Sequence, residues 1–82
     1  MLIDKNHILL LSERYQKSTG LIETTISSRI FNDGKKIAAL RSGSDLTTSR
    51  YNAALLWFDE NWPGLDPWPS KVSRPSQDRG TA

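Results

Sequence analysis

Seven hydrogen-bonding side chains fall between positions 23 and 32 of this chain: Glu23, Thr24, Thr25, Ser27, Ser28, Arg29 and Asn32. Ile26, Ile30 and Phe31 interrupt them at helical spacing, so the segment reads as a short helix with one apolar face and one slim, polar face. A slim polar face is what a helix needs to enter the major groove of duplex DNA and meet the donors and acceptors on base edges. Lys35 and Lys36 follow just beyond its end and Arg41 one turn further, a placement that suits phosphates. The plainer reading of the same residues is a solvated face on an ordinary helical hairpin.

Other chemistry is poorly supplied. His7 is the single histidine, without a cysteine, a paired carboxylate or metal-ligand spacing near it, and it reads as a surface or capping residue. Asp59 and Glu60 are adjacent in a helical stretch and face different directions. Gly20, Gly34 and Gly43 are spaced as helix stops and not as a phosphate-cradling loop. The chain is not expected to be an enzyme or to carry a cofactor or metal.

The elements that must position the polar face follow from stops and caps. A first helix begins near Asp4 to Asn6, whose side chains can accept from first-turn amides, and runs to Thr19 with Ile8, Leu11 and Tyr15 on one face. A break near Ser12 would divide it into a core helix and the first helix of a helix-turn-helix. Gly20 suits the left-handed conformation at a helix C-terminus, and the reading helix then spans about Ile22 to Asn32. Asn32-Asp33-Gly34 stops it, and a short helix from Lys35 to Arg41 buries Ile37, Ala38 and Leu40. A last helix runs from a Thr47 or Thr48 cap to about Asn61, with Tyr51, Ala54, Leu55, Phe58 and Trp62 in one stripe. Leu56 and Trp57 lie off that stripe, which is the sequence argument for a homodimer interface.

Past Trp62 the chain holds all four prolines and is read as an extended strap in which Trp62, Leu65, Trp68 and Val72 lie across the helices. The expected organisation is one domain over residues 1 to 72, frayed before residue 6, with a disordered tail over 73 to 82. At 82 residues a single core is barely sufficient. Residues 1 to 43 carry seven Lys or Arg against four acids and residues 44 to 82 four against five, so the excess cation lies in the half with the polar helix. The absence of cysteine, and of about 20 consecutive apolar residues, leads to the expectation of a soluble, cytoplasmic protein with no membrane partner.

With these residues in view, SERYQKSTGLIETTISSRIFNDG (residues 12 to 34) resembles the helix-turn-helix of small phage-repressor and Cro-type regulators. The longer string FNDGKKIAALRSGSDLTTSRYNAALLWFDENWPGLDPWP, followed by SRP, is similar to short regulators of alphaproteobacterial phages and integrative elements. The chain departs from the usual motif at Gln16, where a small residue is normal, and at Arg29, its apolar position being displaced to Ile30. It also has Ile22 where a serine often caps the second helix.

The resemblance implies an all-α, repressor-like domain of four or five helices that binds a palindromic double-stranded DNA operator as a homodimer. It implies Glu23, Thr24, Thr25, Ser27, Ser28 and Arg29 as the group facing bases, with Arg29 suited to guanine and Thr24 or Thr25 to a thymine methyl. Ser12, Lys17, Asn32, Lys35 and Lys36 would hold phosphates. Two alternatives keep the helical fold: an anti-activator gripping a transcription-machinery partner through Leu56, Trp57 and the tryptophan strap, and an excisionase-like protein that bends DNA.

Overall fold

Asp4 starts the first helix: its backbone is extended (φ −128°, ψ 102°) and its carboxylate accepts from the Asn6 amide at 2.9 Å. The computed structural model describes residues 4–64, 66–72, 74 and 75. Among the described residues there are four helices and no strand: α1 (Lys5–Thr19), α2 (Glu23–Phe31), α3 (Lys36–Arg41) and α4 (Thr48–Asn61). None is long and apolar enough to cross a membrane.

α1 runs unbroken through Ser12 to Thr19, so the helix is not divided at Ser12. Ser12 lies in the buried stripe with Ile8, Leu11 and Tyr15, four positions that share one helical face, so the interior holds this turn in register. The helix stops at Gly20, whose φ of 78° lets its amide reach the Gln16 carbonyl at 2.8 Å. α2 stops at Asn32, also left-handed at φ 56°, with its amide on the Ser28 carbonyl at 2.9 Å.

The Asp33 carboxylate accepts from the Lys35 amide at 2.9 Å and leads into α3. Ile37 and Leu40 are buried there, but Ala38, expected inside, is exposed. In a helix of six residues the i, i+3 pair sets the inward side, and the residue following Ile37 is turned about 100° away from it. The 42 to 47 loop is held by two lysines, Lys5 Nζ on the Ser44 carbonyl at 3.0 Å and Lys36 Nζ on the Asp45 carbonyl at 3.2 Å, and it inserts Leu46 into the core.

The Thr47 hydroxyl opens α4 by accepting from the Arg50 amide at 3.3 Å. At the other end Pro63 biases Trp62 to extended backbone (φ −64°, ψ 133°), and the Asn61 amide side chain donates to the Trp57 carbonyl at 2.9 Å. α1, α2 and α3 contact one another pairwise, and α4 lies on α1 and α2. Tyr51, Ala54, Leu55 and Phe58 of α4 meet Ile8, Leu11 and Tyr15 of α1, Ile26 of α2, and Ile37 and Leu40 of α3 in one core.

His7 is not a free surface or helix-capping residue. Its Nδ1 is 2.9 Å from the Tyr51 hydroxyl, joining α1 to α4, and its Nε2 is 3.5 Å from the Asp4 carboxylate. Beyond α4, the indole nitrogens of Trp62 and Trp68 donate to the Asp66 and Val72 carbonyls at 2.9 and 2.7 Å, which satisfies both polar groups as the rings pack on the core. The two rings lie 4.9 Å apart, and Val72 is buried. Leu65 lies outside the described residues. Packing continues into the segment expected to be a disordered tail: Arg74 Nε donates to the Asp59 carboxylate at 2.6 Å, and its guanidinium stands 4.9 Å from the centre of the Trp68 ring. Residues 76–82 lie outside the described residues.

Candidate nucleic-acid interface

Two left-handed residues, Gly20 and Asn32, bracket α2 and set how it leaves α1 and approaches α3. Thr19 tightens the first of these corners, donating from its hydroxyl to the Tyr15 carbonyl at 2.7 Å and accepting from the Leu21 amide at 3.2 Å. Ile26 anchors the helix from below at 0% exposure, with Ile30 and Phe31 packed beside it. The opposite side is left to polar groups.

Of the residues expected to face bases, Thr24, Ser28 and Arg29 are exposed and Thr25 is half-buried. Among the described residues no acid pairs with Arg29. Ser27 does not belong to this face. It is 0% exposed, and its hydroxyl donates to the Asp33 carbonyl at 2.5 Å while accepting from the Ile37 amide at 3.1 Å, tying α2 to the turn and to α3. Glu23 is half-buried and its carboxylate is engaged by Arg41 of α3 at 2.5 Å, so it braces the helix instead of reaching outward. That contact raises the Arg41 pKa above its ordinary value, chiefly through the hydrogen bond to Glu23. It also neutralises the one acid at the start of the polar face.

The residues expected at phosphates divide in the same way. Lys17, Asn32 and Lys35 are exposed. Lys36 is half-buried and its ammonium is on the loop carbonyl described above. Ser12 is 0% exposed and its hydroxyl has no hydrogen-bond partner among the described residues, so a phosphate role is ruled out for it by burial.

Sequence reasoning missed two residues here. Arg50, from the first turn of α4, lines an open cleft of about 360 Å³ with Ser28, Arg29, Asn32 and Ala53. Nothing in the local pattern around Arg50 signals this, because the cleft arises from α4 crossing the end of α2. Ile22, noted in the sequence as standing where a serine often caps the helix but not as a site residue, is the second. It takes the N-cap position of α2 with extended backbone (φ −82°, ψ 157°), gives no side-chain cap, and stands 64% exposed.

On the expected dimer face, Leu56 is 41% exposed. Trp57 is half-buried, with its ring edge-on to Tyr15 at 5.3 Å and to Phe58 at 5.4 Å, so much of it is engaged within its own chain. Compared with protein-family models, curated proteins and solved structures, the chain finds no match.

Proposed function

We propose that this chain is a sequence-specific DNA-binding transcriptional regulator of the repressor-like helix-turn-helix kind, acting in the cytoplasm on a palindromic operator as a homodimer. In this reading α1 and α2 form the motif, α2 enters the major groove, and residues 62 to 72 act as a strap that steadies α1 and α4 behind it. The observation that carries it is the outer side of α2, where Thr24, Thr25, Ser28, Arg29 and Asn32 offer donors and acceptors and one guanidinium with no acidic partner among the described residues, flanked by the exposed cations Lys17 and Lys35. Arg29 reads a base and the two lysines hold backbone phosphates. Two copies related by a two-fold axis would meet half-sites about 34 Å apart.

The test is a gel-shift titration against the DNA upstream of the chain's own coding sequence and against a scrambled duplex, at about 150 mM salt. Tight binding to the first alone supports the reading, while equal weak binding or none overturns it. Arg29→Ala should cost about 1–3 kcal/mol at one base position, whereas Lys35→Ala should weaken all sequences evenly and lower the salt slope by about 1. Equal losses on specific and random duplexes for Arg29→Ala would move that residue to the backbone. The anti-activator alternative has less to work with, since Trp57 packs inward and leaves Leu56 as the exposed apolar group of the pair.

A further inference from the structure

Ile22 departs from the usual chemistry of an N-cap. A large apolar side chain stands 64% exposed, and it does so at an N-cap, where serine, threonine, asparagine or aspartate would secure a first-turn amide. Its neighbour Leu21 turns in against the core, so the chain has an apolar residue to bury at this corner and buries it, leaving Ile22 outside. The residues that follow on the outer side of α2, Thr24, Thr25, Ser28, Arg29 and Asn32, are polar or cationic. An apolar protein partner would find little around Ile22 to cover, but a polar surface with methyl groups set into it would fit. In the major groove, thymine offers this combination, a carbonyl acceptor beside a C5-methyl group.

Resting on the DNA reading above, we infer that Ile22 is a specificity-determining residue that packs against the C5-methyl of a thymine in the half-site. The first residues of a reading helix are those that meet base edges, and Ile22 precedes α2 immediately. It lies seven residues, two helical turns, before Arg29, and so addresses a different base pair from the one Arg29 reaches. The Arg41 contact on Glu23 offsets the negative charge that would oppose close approach of DNA at this end of the helix. Helix stability is given up at the cap in exchange for base recognition, as occurs where local rules yield to function.

The experiment uses the full chain and a duplex recovered by selection from a randomised pool. Each thymine of the half-site is replaced in turn by deoxyuridine, which removes only the methyl group. One replacement should weaken wild-type binding about 4-fold, the worth of one buried methyl, and Ile22→Ala should lose affinity on the thymine duplex but nothing further on that deoxyuridine duplex. Ile22→Ser separates recognition from folding, because it supplies the missing cap. Its thermal midpoint should rise while its affinity for the thymine duplex falls. Uniform indifference to deoxyuridine, or methyl sensitivity that persists in both variants, overturns the assignment to Ile22 and leaves the DNA reading standing. Failure of the selection to enrich any sequence overturns both.

Discussion

Ser27 illustrates how a single hydroxyl can decide the geometry of the polar face. It is fully buried and joins three pieces of chain, donating to the Asp33 carbonyl and accepting from the Ile37 amide. Ser27→Ala would leave that amide buried without an acceptor, and an orphaned buried donor costs about 1–3 kcal/mol. Urea denaturation should therefore show an unfolding free energy lower by that amount, whereas Ser28→Ala, one residue on and exposed, should fall within about 0.5 kcal/mol of wild type. Equal, small effects would mean that the turn holds without Ser27. Neither Ser27 nor Ser12 was legible as an interior residue, for a physical reason. Hydrophobic periodicity marks a buried face by its large apolar groups, and a serine placed inside looks the same in sequence as one facing water. The exposure of Arg29 and Thr24 was legible, because both lie off the stripe set by Ile26 and Ile30.

Caps and stops were the most readable features among the elements. A Thr47 or Thr48 cap for α4, a cap near Asp4 to Asn6 for α1 and Gly20 as the stop of α1 follow from their own chemistry, and the structure takes Thr47 and Asp4 from those alternatives. Gly34 shows the limit of such reading, because the left-handed residue that ends α2 is Asn32. Contrasting outcomes follow for two glycines. Gly20→Ala meets no neighbouring atom within 4 Å among the described residues but forces φ of 78° on an L-residue, which should cost about 1–2 kcal/mol. Gly34→Ala places its Cβ 3.5 Å from the Ser28 hydroxyl, an ordinary contact at an ordinary φ, and should be neutral or gain about 0.5 kcal/mol by restricting the unfolded chain. Thermal melts of the two variants check this, and a costly Gly34→Ala would show that Gly34 is the stop after all. The α1–α4 junction makes a second prediction. Burial, and then the charge of Asp4, raise the Tyr51 pKa above its ordinary 10.0. The folded chain thus holds the phenol proton more tightly than the unfolded chain. This contribution to stability is complete below about pH 10 and is lost as pH rises through the higher folded value. Tyr51→Phe should lower stability at pH 7 through loss of the His7 contact, yet flatten its decline between about pH 9 and 11. A decline as steep as that of wild type would assign the alkaline sensitivity elsewhere.

At the scale of the whole molecule, the question is how 82 residues hold a core and what they leave outside it. Tyr15, Trp57, Phe58, Trp62 and Trp68 form one continuous run of ring contacts, and Arg74 closes it by reaching back to Asp59 over Trp68. The abundance of tryptophan was legible as structural, but its path was not, since ring-to-ring contact depends on how α4 and the residues after Pro63 fold back on α1. This run draws Trp57 inward and narrows what a second copy of the chain could use. Under the homodimer reading, the outer side of α4 offers Leu56, 41% exposed, as the apolar centre of the contact. Leu56→Lys changes an exposed position and should alter folding stability by no more than about 0.5 kcal/mol. The same change would place like charges face to face across a two-fold axis, where residue and symmetry mate meet. Sedimentation at tens of micromolar should then show wild-type dimer and variant monomer, and the variant should occupy the two half-sites of a palindrome independently. A wild type that sediments as monomer and fills both half-sites without cooperativity would assign Leu56 to no self-contact and make each chain a reader of one half-site by itself.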